Sequence, residues 1–476
     1  MKKVIIIGFL IIGVLMRLQN INGLPIDAHP MRQTDTESVA YNYAFKNANI
    51  LLPEASLIRP VTNTNGYFFL EFPIYQYTIS LLYRIVGWNL VAARVFNLLL
   101  FLAASFFLYQ FANLIFNKKI AVWSLFFFTF APGSIFFIGH AIHPDVFGIT
   151  MFLLSLYTLA LWTKANKKTG LLFLSVSALS MSIATRPFIA LFIPGILLLL
   201  YFYKAQKWAY FAYIFSPVLY GIWRLWQLQF PQADSGWENW VLDGRNELFK
   251  IQTLKSLIMK NVVGEVIGKI LSLLSIVGLT SIFFKKEKKI WIVLSWLATL
   301  PLYWLIVPNG NIIHQYYANI YIVTFSILGA FGVSWILGLL KNRIVVGALS
   351  SLLGLLVMYN GYRTSSYFFL PRVLNEHMQI AKAIEKCIPI NAKIVYLAVD
   401  NSIPMSLVHR QGWVLGYWPT DVDKSVEKII LMKSYGAQYV VSGMGNTDIT
   451  EEQWNELKVS MKEVCISPFI RVLQFR

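Results

Sequence analysis

Apolar runs of roughly 15 to 25 residues, divided by short lysine clusters, recur from Val4 to about residue 360, and runs of that length match helices that cross a hydrocarbon layer about 30 Å thick. The runs read as spans at 4–18, 97–116, 120–139, 146–163, 169–184, 187–203, 208–228, 266–284, 290–307, 314–340 and 343–360, about eleven crossings. Only 13% of the 476 residues are charged. Soluble globular proteins carry about 25%, so a large water-soluble core is excluded.

Charge bias orients the spans. Lys2, Lys3, Lys118, Lys119, Lys164, Lys167, Lys168, Lys204, Lys207, Lys285, Lys286, Lys288, Lys289, Lys341 and Arg343 fall in loops on one side. The short loops at 140–145, 185–186 and 308–313 hold one basic residue, Arg186. Lysine-rich loops face the cytoplasm, which puts Arg186 and its neighbours outside. The apolar segment Phe68 to Trp88 fits this scheme only as a helix lying in the interface, because a crossing there would invert every later span. The first run lacks a small-x-small cleavage site and reads as a retained span.

The formal charge of +18 is spread over inter-helix loops. It forms no stripe with interleaved aromatics, so it speaks for orientation and anionic lipid and against nucleic acid. No Walker loop, strand–helix GxGxxG or internal repeat is present.

Residues 19–96, 229–265 and those after about 361 fall outside by the same bias. In the first of these, 36–47 reads as a short helix and 68–88 as a second, apolar one. The tail alternates helix at 374–388, strand at Lys393 to Val399, helix at 422–435, strand at 437–442 and a helix capped by Thr450 with Gln453 three residues on. The expected fold is an α-helical polytopic membrane domain over 1–360, including the first outer loop 19–96 and its two interfacial helices. A small soluble α/β domain over 361–476 follows, flanked by Cys387 and Cys465, which would form a disulfide only if the fold brings them together.

Ionisable residues beside hydrocarbon are costly and mark function by default. His29, Arg32, Asp35, Glu37, Arg59, Glu71, His140, His143, Asp145, Arg186 and His314 gather on the outer side, with Tyr316 and Tyr317 beside the last. Asp35 suits a general base tuned by a nearby arginine, although it also stands where a helix cap would. Asp145 opens a span and has the same two readings. Glu71, in Phe68-Phe-Leu-Glu-Phe-Pro, needs a cationic partner, either an arginine in a structural ion pair or a metal. Arg32, Arg59 and Arg186 have the geometry to grip phosphate oxygens, or ordinary lipid headgroups. His140 and His143 lack the spacing of a zinc site; a divalent ion, if used, would call on Glu71 and a nearby histidine.

In their order and shared side, Arg32-Gln-x-Asp35-Thr, Glu71-Phe-Pro, His143-Pro-Asp145, Thr185-Arg186-Pro187 and His314-Gln-Tyr-Tyr317 resemble segments of the GT-C membrane glycosyltransferases. The branch is the one that includes protein O-mannosyltransferases and the bacterial transferase that adds aminoarabinose to lipid A. The likeness covers about residues 1–340. Two departures stand out: the acidic pair is Asp35-Thr-Glu37, and Phe72 occupies the position where a lysine often follows the glutamate.

The resemblance implies transfer of a sugar, hexose or pentose, from a polyprenyl-phosphate donor to a glycan, lipid or protein acceptor, outside a bacterial plasma membrane and with no required cofactor. Asp35 would be the base in an inverting displacement, with Asp145 and Glu71 as further catalytic carboxylates. Arg186 with Arg32 or Arg59 would hold the donor phosphate, and Glu37, His143, His314, Tyr316 and Tyr317 would contact the sugars. A lipid-linked oligosaccharide polymerase or ligase is the main alternative, though such enzymes depend on a late arginine-rich outer loop. A transporter would place its charges near the midplane on paired repeats, and a membrane-anchored binding protein would carry a ligand motif in the tail.

Overall fold

The structure, a computed structural model, describes residues 2–60, 62–164, 168–234, 237–284, 287–397, 403–415, 425–443 and 449–476. Its chain divides into two compact units.

The first unit, 1–21, 94–225 and 237–369, is helical. Four of the helices are long and apolar enough to cross a membrane: Leu90–Ile115, Asp145–Lys164, Gln315–Gly338 and Arg343–Phe369. Val4–Arg17, Thr169–Thr185, Pro187–Phe202 and Ile290–Ile306 are shorter apolar helices. The pair Ile251–Ile267 and Lys269–Ser281 bends by 105° at Gly268, whose φ of +89° is open to glycine.

Prolines break two of the eleven expected runs. The run 120–139 breaks at Ala131-Pro132 into Lys118–Phe130 and Pro132–Phe136, and 208–228 breaks at Pro217 into Lys207–Ile214 and Val218–Gln227. A proline removes a backbone donor and pushes the residue before it out of the helical region. Asn117 and Asn342 cap the helices that follow them by accepting two backbone N–H groups each. Gly278 and Gly332 let Lys269–Phe284 and Tyr321–Gly338 pack backbone to backbone, since a Cβ on either would collide with the carbonyl of Leu328 or Leu274.

The second unit is 22–93, 226–236 and 370–476. The first loop, expected with the membrane helices, thus shares a compact body with the tail. Five strands form one sheet among the described residues: β1 (Lys393–Leu397), β2 (Gln411–Leu415), β3 (Tyr439–Gly443), β4 (Met461–Ile466) and β5 (Ile470–Phe475), in the order β2-β1-β3-β5-β4. β1 runs parallel to β2 and β3, while β3–β5 and β5–β4 are antiparallel. Alternation sends Ile394 and Tyr396 into one apolar core with Ile380 and Ile384, and Val395 and Leu397 into another with Trp413 and Trp454.

Residues 56–58 add to the outer edge of β2. Ile58 N–H donates to Gly412 O at 2.8 Å and Gly412 N–H to Ser56 O at 2.9 Å, which covers backbone groups an edge strand would leave unpaired. Cys387 and Cys465 form a disulfide, with Cα atoms 6.1 Å apart. Thr450 and Gln453 make the expected capping box on Glu451–Ser460. The ends of the expected elements at 398–399 and 422–424, and the loop lysines 167, 285 and 286, lie outside the described residues.

Two helices of this unit start differently from expectation. The helix expected over 36–47 is Pro30–Phe45, because Pro30 is preorganised for the first turn. The one expected over 68–88 is Ile74–Val86 and begins only after Pro73. Glu71 therefore lies in the irregular segment ahead of that helix, where an extended pre-proline backbone is favoured.

Candidate functional site

Within the second unit, the helix Pro30–Phe45 is polar and yet largely buried: Gln33, Thr34, Asp35, Thr36, Glu37 and Ser38 are all buried. Such a stretch cannot adhere through apolar contact, so polar partners must set its position. Gln33 donates to Asp27 Oδ1 and Ala28 O, Ser56 N–H to Ser38 Oγ, and Asn42 to Glu54 O.

Asp35 has a buried Oδ1 with no hydrogen-bond partner among the described residues. Burial raises its pKa above the ordinary 3.8, against the opposing pull of the Arg59 and Arg32 guanidinium groups. Arg32 Nη2 donates to Glu71 Oε1 at 2.5 Å, and Gln76 Nε2 donates to the same oxygen at 3.0 Å. Glu71 is thus the carboxylate of an ion pair. Among the described residues no group of three or more His, Cys, Asp or Glu could hold a metal ion. Arg59 is held by its backbone, whose carbonyl accepts from Asn63 Nδ2 at 2.7 Å.

Glu37, two residues after Asp35, has both oxygens engaged. Oε1 accepts from Trp88 Nε1 at 2.7 Å and Oε2 lies 3.0 Å from His409 Nε2. The His409 ring stacks on Tyr41 at 3.7 Å between centroids and meets Trp88 edge-on at 4.9 Å.

The first unit holds a separate cluster. Asp145 opens the helix Asp145–Lys164, where a carboxylate is favoured by the helix dipole. Pro187 ends the helix Thr169–Thr185, and Arg186 stands at that break. Gly148 makes room for it, since a Cβ there would lie 3.0 Å from Arg186 Cγ. The guanidinium Nε of Arg186 pairs with Asp145 Oδ1. Asp145 Oδ2 takes His143 Nδ1 at 3.2 Å and Asn319 Nδ2 at 3.0 Å, and Arg186 Nη2 lies 2.9 Å from His143 Nδ1.

A cavity opens beside this pair, lined by Asp145, Arg186, Phe188, Tyr303, Tyr317 and Asn319 among others. Tyr316 also lines it and packs on both His143, at 4.6 Å, and His314, at 5.2 Å. His140 lies elsewhere, its Nδ1 3.2 Å from Arg17 O. The structure thus gathers Asp145, His143, Arg186, His314, Tyr316 and Tyr317 in one unit and Asp35, Arg32, Arg59, Glu71 and Glu37 in the other. Sequence reasoning missed Asn319, Tyr303, Trp88 and His409. Only Asn319 carried a signal, as a lone amide entering an apolar run two residues past Tyr317.

Apolar helices with ionisable groups at their ends, together with a polar, largely buried helix that carries a carboxylate beside arginines, accompany the fold of the GT-C membrane glycosyltransferases. Within that class the chain resembles the branch of ArnT and the protein mannosyltransferases. The family model for dolichyl-phosphate-mannose-protein mannosyltransferase matches residues 71–223. Among solved structures the chain is similar to ArnT from Cupriavidus metallidurans bound to undecaprenyl phosphate, with TM-score 0.66 and 11% identity over 98% of this chain and 97% of that one. It is also similar to the oligosaccharyltransferase AglB from Archaeoglobus fulgidus in complex with an inhibitory peptide and a dolichol-phosphate, with TM-score 0.59 and 10% identity over 93% and 70% of the two chains. The arabinofuranosyltransferase AftD from Mycobacteria matches with TM-score 0.59 and 12% identity over 98% of this chain and 41% of that one. No curated protein matches by sequence.

Proposed function

We propose that this protein transfers a sugar from a polyprenyl-phosphate-linked donor to an acceptor hydroxyl outside the cytoplasmic membrane, with inversion at the anomeric carbon. The observation that carries the reading is Asp35: a buried carboxylate, one oxygen without a partner among the described residues, in the field of Arg32 and Arg59. A carboxylate so placed has the basicity and the open valence a general base needs. Asp35 takes the acceptor's proton, the acceptor oxygen bonds to the anomeric carbon, and the bond from that carbon to the phosphate oxygen breaks, leaving its electron pair on the lipid phosphate. Arg59 and Arg32 offset the negative charge that grows on that phosphate.

The Asp145–Arg186 cluster and its aromatic cavity are read by themselves, within the first unit, as a site for a lipid phosphate. Arg186 offers a guanidinium face to an anion, and Tyr303, Tyr317 and Phe188 offer rings to an apolar or sugar surface. The undecaprenyl phosphate bound to the similar ArnT and the dolichol-phosphate in the AglB complex support a lipid phosphate as the donor's carrier. Sidedness is supported by the lysine bias and by the disulfide in the tail, a bond that persists in oxidising compartments.

The test is turnover by purified protein with a panel of undecaprenyl-phosphate sugars. Asp35→Asn is expected to lose transfer with folding intact, and a variant that keeps most of its turnover rejects Asp35 as the base.

A further inference from the structure

The side of Pro30–Phe45 away from Asp35 holds a cluster in which buried Glu37 and His409 meet the half-buried Tyr41 and the more exposed Trp88, drawn from three stretches of the second unit. At 3.6 residues per turn, Glu37 lies about 200° and Tyr41 about 240° around the helix axis from Asp35, whereas Arg32 lies within about 60° of it. One face of the helix therefore presents Asp35 and Arg32, and the opposite face is gripped by His409. The grip has two parts: a hydrogen bond to Glu37 Oε2 at 3.0 Å, and a ring stacked on Tyr41 at 3.7 Å, one turn further along. Trp88 closes the third side by donating to Glu37 Oε1 at 2.7 Å.

His409 also holds a left-handed backbone with φ of +54°. A non-glycine residue keeps that conformation only where its surroundings over-determine it, and such residues cluster where geometry serves function. Val39 and Tyr43 of the gripped helix pack in a small apolar cluster with Ala55, but apolar contact is non-directional, and the hydrogen-bonded grip on Glu37 adds the directional hold by which pinning one side sets the direction of the other.

We propose that His409, acting through Glu37, is a positioning residue that fixes the rotation of the helix carrying Asp35. Glu37 then serves the reaction as an anchor, in place of the sugar contact expected of it. The proposal rests on the reading of Asp35 as the base.

The experiment uses the full chain in lipid nanodiscs and whichever undecaprenyl-phosphate sugar (glucose, galactose, mannose or aminoarabinose) the wild type turns over fastest. Steady-state kinetics and hydrogen exchange of residues 30–45 are compared for His409→Leu, His409→Gln and Asp35→Asn. A side-chain amide can replace the ring nitrogen as donor to Glu37, whereas leucine cannot. His409→Leu is expected to lower kcat at least about tenfold with donor KM within about twofold, the pattern of a misplaced catalytic group. It is also expected to speed exchange over 30–45, and His409→Gln to restore most of kcat. Unchanged kcat in His409→Leu, a glutamine variant as slow as the leucine one, or a fall explained by KM alone overturns the proposal. If His409→Leu fails to fold, Trp88→Phe, which removes only the indole N–H donor, carries the same expectation with a smaller loss. Inactive Asp35→Asn together with unimpaired His409→Leu rejects the positioning role and leaves the base intact. Active Asp35→Asn rejects both.

Discussion

Arg186 and Asp145 form an ion pair through the guanidinium Nε and the carboxylate Oδ1, each supplied from the end of a different apolar helix. Their side chains are only 19% and 8% exposed, and removing one member of a buried pair strands the other charge. Asp145→Ala and Arg186→Ala are each expected to destabilise the fold by about 3 kcal/mol, and the double variant by much less than their sum. Thermal unfolding in detergent checks this. Additive losses would mean that the two charges do not depend on each other.

Arg186 should also matter for the donor. Arg186→Lys keeps the charge but loses the planar fork, so affinity for undecaprenyl phosphate is expected to fall about tenfold, measured by titration in nanodiscs. Full affinity in the lysine variant would remove the bidentate grip.

Asp35 carries a pKa raised by burial, and the sign of its effect on stability follows. The folded state holds the proton more tightly than the unfolded one, so stability falls as pH rises from the ordinary 3.8 through the raised value and stays reduced above it. Asp35→Asn is expected to be inactive and, at pH 7, at least as stable as the wild type, with the difference shrinking toward acid. Melting curves across pH decide it; a clear loss of stability at pH 7 would contradict the assignment. For the active enzyme, the acid limb of kcat should sit above pH 3.8.

Arg32 and Glu71 are joined at 2.5 Å with side chains 13% and 6% exposed. Glu71→Leu is expected to cost about 3 kcal/mol by leaving the Arg32 cation without its carboxylate, and a further Arg32→Met change to recover much of it. Equal stability of the single and double variants would show that the pair has no such coupling.

The Cys387–Cys465 bridge ties the helix Asn375–Cys387 to β4 across a sequence separation of 78 residues. Cys387→Ser together with Cys465→Ser is expected to destabilise the second unit by about 2 to 4 kcal/mol. Hydrogen exchange of β4 and β5 against that of Leu90–Ile115 measures this, and only the strands should speed up.

Much of the architecture was legible along the chain, because length and hydropathy are local properties: a run long enough to span hydrocarbon is visible wherever it occurs. The same holds for the Thr450 capping box, in which a side chain three residues away satisfies a backbone donor. Strand β2 was not legible. Gln411–Leu415 is buried on both faces and shows no alternation, so its period carries no signal. β4 does alternate, but its identity as an edge strand depends on β5 beside it.

For the candidate sites, the sequence by itself determined which residues are costly to place beside lipid, since that cost belongs to the residue and its apolar neighbours. Asp35, Glu71, Asp145 and Arg186 were visible on that ground. Partners were not, because a hydrogen bond between residues distant in the chain leaves no local mark. Only the fold decided that Glu71 binds Arg32, that Asn319 supports Asp145 across 174 residues, and that Glu37 meets His409 across 372. Residue chemistry is written position by position, whereas the pairing that tunes it exists only once the chain has closed on itself.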